Sequence, residues 1–120
     1  MFINYSNHPS TTWDEKQLKE AAKYGAIIDV PFPAVDPDLD EYGIAKMAYN
    51  EFMKIVDIAK DATDTVVVMI QGEFCLCHTM IGMLKSFGYN PMCACTQRNS
   101  NEAMLDGKSR FDFIRFRFYN

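Results

Sequence analysis

The stretch NYSNHPSTTW, residues 4–13, gathers two asparagines, two serines, two threonines and a histidine around one proline. Side chains of this kind at a strand-to-helix junction can do one of two jobs. They can cap a turn and the helix that follows, or they can form the floor of a ligand site. His8 can give or take a proton near neutral pH, or bond to the backbone of its own turn. Gln71-Gly72-Glu73 has a similar character, since it follows an apolar run and opens a helix-like pattern. Free amides at such a helix start attract phosphate, and Gly72 would allow close backbone approach. Glu73 would repel phosphate. It reads either as a holder of a sugar hydroxyl or a base, or as an ordinary first-turn acid. Thr96–Asn99, with Thr96, Gln97 and Arg98, forms the third polar stretch, in which Arg98 is either a bidentate phosphate clamp or a surface salt-bridge partner. Neither G-x-G-x-x-G nor G-x-x-x-x-G-K-[ST] occurs in the chain.

The four cysteines fall in two pairs, Cys75-Leu-Cys77-His78 and Cys93-Ala-Cys95. On a helix, positions 75 and 77 point about 200° apart and cannot easily share one metal. On a strand, 93 and 95 share a face that is expected to meet the core. The C-x₂-C spacing of zinc sites is absent, so the expectation is small buried hydrophobes and no metal. Near the end, FDFIRFRFY alternates. Strict period two puts Phe111, Phe113, Arg115, Arg117 and Tyr119 on one face and Asp112, Ile114, Phe116 and Phe118 on the other. Interleaved arginines and aromatics suit base stacking, or an edge strand packed on helices or on a second subunit.

Elements must position these residues. Met1–Tyr5 reads as a short buried strand. Thr12-Trp-Asp-Glu15 has the form of a capping box, which predicts a helix from Trp13 to about Tyr24, striped by Leu18, Ala21 and Ala22 and stopped at Gly25. Residues 26–32 read as a second strand ending at prolines. Asp36 or Asp38 can cap the next helix, which runs to about Lys60 with Ile44, Met47, Ala48, Phe52, Ile55 and Ile58 or Ala59 on its apolar side. TVVVMI, 65–70, is the pattern of a strand buried on both faces. A third helix spans Phe74–Phe87 and stops at Gly88. Residues 91–96 and 111–119 are strands, joined by a polar connection with an Asp106-Gly107 turn.

Alternating strands and helices predict an α/β, Rossmann-like three-layer sandwich, one domain over residues 1–120. Its five-stranded, mostly parallel sheet has the expected order 2-1-3-4-5, with strand 5 antiparallel at an edge. Ligands in such sheets bind past the carboxyl ends of the strands at the switch point between strands 1 and 3. All three polar stretches lie on that rim. Ser6, Asn7, Thr11, Gln71, Gly72, Glu73, Thr96 and Gln97 are therefore the candidate ligand contacts. A net charge of −4 offers no global field for double-stranded nucleic acid. No apolar run reaches the roughly 20 residues of a membrane helix. The N-terminus lacks the pattern of a secretory signal, which predicts a cytoplasmic chain with reduced thiols and no cofactor.

The strand ending in NYSNHP, the IDVPFP that closes strand 2 and the VMIQGEF entering a helix together resemble minimal CRISPR-associated Rossmann-fold (CARF) proteins of the stand-alone ring-nuclease type. The resemblance implies a homodimer that binds a cyclic oligoadenylate across its two-fold axis, with metal-independent cleavage. It implies that Ser6, Asn7, His8 and Ser10 form the ligand loop and Gly72 the phosphate-facing turn. Glu73 and Phe74 depart from the Thr or Ser common after that turn. For such cleavage His8 would protonate the leaving oxygen, while Arg98 and Ser10 would stabilise developing charge. Two other readings stand beside this one: a nucleotide or small-ligand binder without turnover, and a structural module whose polar rim is capping.

Overall fold

The computed structural model describes residues 1–99 and 110–120. Phe2–Tyr5 forms β1 and Val67–Ile70 forms β3, and every residue of both strands is buried. These apolar runs are the centre of a five-stranded sheet of order β2-β1-β3-β4-β5, with β2 at Ile27–Val30, β4 at Asn90–Asn99 and β5 at Arg110–Phe118. The β1–β2, β1–β3 and β3–β4 pairs are parallel, and β4–β5 is antiparallel. The helices are α1 at Glu15–Ala22, α2 at Glu41–Ala59 and α3 at Phe74–Phe87. The α/β architecture and strand order expected from the alternation of elements are those observed.

The helices divide between the two faces as right-handed crossovers require. Ile44, Ala48, Phe52 and Ile55 of α2 pack with Leu76, Met80 and Leu84 of α3 over Ile3, Tyr5, Val68 and Ile70. Among the described residues the opposite face has the eight-residue α1 as its one helix, whose Ala21 joins Phe2, Val67, Met69 and Met92, with Trp13, Tyr24 and Phe116 packed around them. Leu18, expected on the buried stripe, is 37% exposed.

Two helix starts differ from expectation, and in each an aspartate further along the chain takes the N-cap. Thr12 does not form the capping box. Its hydroxyl donates to the Pro9 carbonyl at 2.7 Å inside a 3₁₀ turn, Ser10–Thr12, and this delays the helix to Glu15. Asp14 accepts from the Gln17 amide at 2.8 Å instead. Asp40, not Asp36 or Asp38, caps α2 through the Gly43 amide. Gly88 stops α3 as expected, in the left-handed region at φ 93°. Glu51 sits on the buried stripe of α2, 7% exposed, where it accepts from the Tyr5 hydroxyl at 2.6 Å.

The largest correction concerns β5. Its register runs Phe118–Met92, Arg117–Cys93, Phe116–Ala94 and Arg115–Cys95, then jumps to Phe113–Thr96. Ile114 is the extra residue of a β-bulge, and a bulge reverses the alternation beyond it. Phe113 is thereby turned onto the face of Phe116, 4.8 Å away ring to ring, instead of sharing the face of Arg115 and Arg117. The Asp106-Gly107 turn lies outside the described residues.

Candidate functional site

The polar stretch after β1 is an internally bonded loop built around the main chain of His8. Asn4, 1% exposed, donates from Nδ2 to the His8 carbonyl at 2.9 Å and to Asp29 Oδ1 at 2.8 Å. Its Oδ1 accepts from the Ser6 hydroxyl at 2.6 Å, and Ser6 Oγ accepts from the His8 amide at 3.2 Å. Trp13 Nε1 donates to the same His8 carbonyl at 3.0 Å. Ser10 donates from both its amide and its hydroxyl to Asp29, the hydroxyl at 2.8 Å. Burial pushes the Asp29 carboxyl up, but the hydrogen bonds from Asn4 and Ser10 outweigh it and hold the group below the ordinary carboxylate range. The His8 imidazole stays exposed on a main chain that is fixed at both its amide and its carbonyl.

Beside it the sheet opens. The Asn90 amide donates to the Val66 carbonyl at 3.0 Å, and β3–β4 pairing ends at Met69–Met92. The next rung in that series would join the Ala94 amide to the Ile70 carbonyl. Two side chains replace it. The Ala94 amide donates to Gln71 Oε1 at 2.8 Å, and the Ile70 carbonyl accepts from the Tyr119 hydroxyl at 3.0 Å. The strands part without leaving a backbone group unsatisfied. The bond to Ala94 also fixes which way the Gln71 amide points, because only its oxygen can accept.

A cavity of about 360 Å³ occupies this opening on the α1 side. It is lined by His8, Thr12, Trp13, Gln17, Met69, Gln71, Ala94, Thr96 and Phe111. Two aromatic rings, two amide side chains, two hydroxyls and an imidazole thus surround a space with no Lys, Arg, Asp or Glu among the described lining residues. Arg98 lies directly opposite Phe111 in the β4–β5 register, so it shares the cavity's face and stands one step beyond Thr96.

Of the residues expected to form a site, the fold brings His8, Gln71 and Thr96 to this cavity, with Arg98 at its outer end. Ser6 and Ser10 serve the loop around His8. Asn7 and Thr11 are exposed outside the lining, and Gln97 faces the other side of β4. Gly72 makes room for protein: a Cβ there would lie 2.4 Å from the Phe32 ring. Glu73 caps α3, accepting from the Cys75 and Leu76 amides, and those backbone bonds hold its carboxyl below the usual range. With Asp14, Asp40 and Glu73 in place, the first-turn amides of all three helices already face carboxylates, so none is a ready phosphate cradle.

Gln17, Met69 and Ala94 had no signal as site residues, while Phe111 had one only as part of a strand whose aromatics suit base stacking, and Trp13 only as the end of the polar stretch. Trp13 and Gln17 are one helical turn apart in sequence, which hints at a shared face. Phe111 reaches the cavity because of the bulge at Ile114, which period-two counting misses.

The cysteines do not converge on one centre. Cys75 is exposed, contrary to expectation, and Cys77 is buried. Burial pushes the Cys77 thiol up to about 11, the Glu73 carboxylate raises Cys75, and burial raises Cys93. These shifts run opposite to those of a reactive thiolate. Among the described residues no three His, Cys, Asp or Glu side chains are grouped so as to hold a metal. Nor is any described helix long and apolar enough to cross a membrane.

The family model of the uncharacterized protein MJ1673 family matches residues 1–117. No curated protein and no solved structure matches the chain.

Proposed function

The chain belongs to the uncharacterized protein MJ1673 family, and from the lining of the 360 Å³ cavity we propose that it binds a nucleotide-type ligand with the base in that space. The observation that carries this reading is the lining: Trp13 and Phe111 with Gln17, Gln71, Thr96 and His8, and no Lys, Arg, Asp or Glu among the described lining residues. A neutral heteroaromatic ring needs apolar faces to stack on and amide or hydroxyl groups at its edge. A phosphate needs cations or free backbone amides, and the described lining residues include no Lys or Arg. Arg98 at the outer end is where a phosphate attached to such a base would emerge.

In its fullest form the ligand is a cyclic oligoadenylate, the class implied by the likeness of NYSNHP and VMIQGEF to CARF ring nucleases. The ligand's own 2′-hydroxyl then attacks the adjacent phosphorus and gives its proton to solvent, the 5′-oxygen leaves as the 2′,3′-cyclic phosphate closes, and His8 donates a proton to that oxygen, with its backbone locked before the ligand arrives. Binding without turnover is the coarser form of the same reading, and the product assay separates the two.

Trp13 is the only tryptophan in the chain and lines the cavity, so its fluorescence is a direct reporter. Titration with AMP, linear oligoadenylates and cyclic oligoadenylates is expected to quench it saturably with at least one of them. Mass analysis of the products is expected to show ring opening that His8→Ala slows without much loss of affinity. Unchanged Trp13 fluorescence and an unchanged melting temperature with every member of the panel would defeat the reading.

We also propose a homodimer. β5 is an edge strand of nine residues, and it exposes Phe111, Ile114 and Phe118. Exposed apolar edges of this length are where a second copy pairs. Sedimentation at micromolar concentration should give a species near twice the 13.8 kDa chain mass, and a single species at that mass itself counts against the dimer.

A further inference from the structure

A second cavity, of about 590 Å³, lies on the other face of the sheet, in the notch between the first turns of α2 and α3. Leu39, Ile44, Phe74 and His78 contribute to its wall, and Asp40 and Glu41 stand at its lip. The exposure of apolar side chains here is unusual: Phe74 is 89% exposed and Leu39 39%. Folding does not account for Phe74. The core contacts of α3 come from Leu76, Cys77, Met80 and Leu84, and its N-terminus is capped by Glu73. An aromatic side chain left outside at a cavity rim is the usual form of an anchor awaiting a partner.

The charge around the notch has one sign. Asp36, Asp38, Asp40 and Glu41 lead into α2, and Glu73 adjoins Phe74. Capping and turn bonds explain Asp36, Asp40 and Glu73, but give no role to Asp38 or Glu41. Among the described residues none of the five forms a salt bridge. An apolar floor inside an acidic rim repels phosphates and acidic surfaces. It attracts a chain that sets Lys or Arg beside a large apolar side chain.

We propose that this notch docks a basic amphipathic helix of another protein, its apolar stripe on Leu39, Ile44 and Phe74 and its cations on the acidic lip. Two parallel helix ends with a furrow between them are the geometry that takes a third helix. A second copy of this chain is a poorer match, because its net charge of −4 disfavours approach to an acidic face.

The test uses a fluorescein-labelled helical peptide of about 18 residues, Leu on one face and Lys on the other, and a control with Glu for Lys; each is about five turns long. Fluorescence anisotropy against the full chain should show binding of the Lys peptide, weakened by added salt, and none of the Glu peptide. Phe74→Ala, which changes no charge, should weaken binding about tenfold, and Glu41→Gln with Asp38→Asn should weaken it by a similar factor. Absence of binding at millimolar peptide overturns the proposal, as does binding that Phe74→Ala leaves unchanged. Sedimentation of the Phe74→Ala protein supplies a further check. Loss of a wild-type dimer in that variant would make the notch a contact between copies and overturn the proposal.

Discussion

Gln71→Glu should weaken ligand binding tenfold or more while leaving the fold intact. The Ala94 amide needs an oxygen at this place, and it now receives one from the side chain of Gln71 at 2.8 Å. Glutamate keeps that oxygen but replaces the amide's NH₂ donor with a second acceptor carrying negative charge. The donor is the group that an acceptor on a base edge would meet, and a site built to donate rejects a ligand it can no longer pair. Affinity for whichever oligoadenylate quenches Trp13 should fall tenfold or more, with a near-normal melting temperature. Gln71→Ala should behave differently. It removes the oxygen as well, leaves the Ala94 amide without its partner and costs about 1–3 kcal/mol of stability. Unaltered affinity in Gln71→Glu would remove Gln71 from the site, and binding with Trp13 still quenched would leave the cavity itself in place.

Asn4→Ala should be the most destabilising single change in the loop. Three hydrogen bonds converge on this amide, to the His8 carbonyl, to Asp29 and from Ser6, and the side chain is 1% exposed. Its removal leaves buried polar groups unpaired and creates a small void, for a loss of about 2–4 kcal/mol. That is a large part of the roughly 5–15 kcal/mol typical of a domain. Chemical denaturation measures it. Thr11→Ala, on an exposed residue of the same loop, should stay within about 0.5 kcal/mol. A pH series adds a second check on the same cluster. The folded Asp29 carboxyl is depressed below its unfolded value, so its contribution is present above about pH 4, the ordinary carboxylate range, and is lost as pH falls below it. The stability gap between the wild type and Asp29→Asn should therefore narrow as pH drops through that window. A constant gap, or a loss at Asn4→Ala no greater than at Thr11→Ala, would mean that the loop is not held by this cluster.

Much of the fold is determined by local pattern. VVMI has no polar face to offer water, so β3 must be central, and its neighbours in order follow from short, right-handed crossovers. Gly88 stops α3 because the left-handed region costs glycine little. The end of the sheet that holds the candidate cavity was also legible, because strand order alone places Ser6–Thr12, Gln71–Glu73 and Thr96–Asn99 there. Tertiary structure decided which of those residues face a ligand space. Asn4, Ser6 and Ser10 look like ligand groups in the sequence, yet they spend their hydrogen bonds on Asp29 and on the main chain of His8, a partner 25 residues from Asn4 being invisible to local reading. Gly72 looks like a phosphate turn and is a seat for Phe32. Phe111 enters the cavity through one inserted residue, Ile114, since period-two reasoning fails wherever a bulge resets the register. The opening between β3 and β4 depends on Gln71 and Tyr119 replacing a rung that no sequence pattern marks as missing. Periodicity depends on nearest neighbours along the chain, whereas a cavity depends on which distant side chains satisfy one another first.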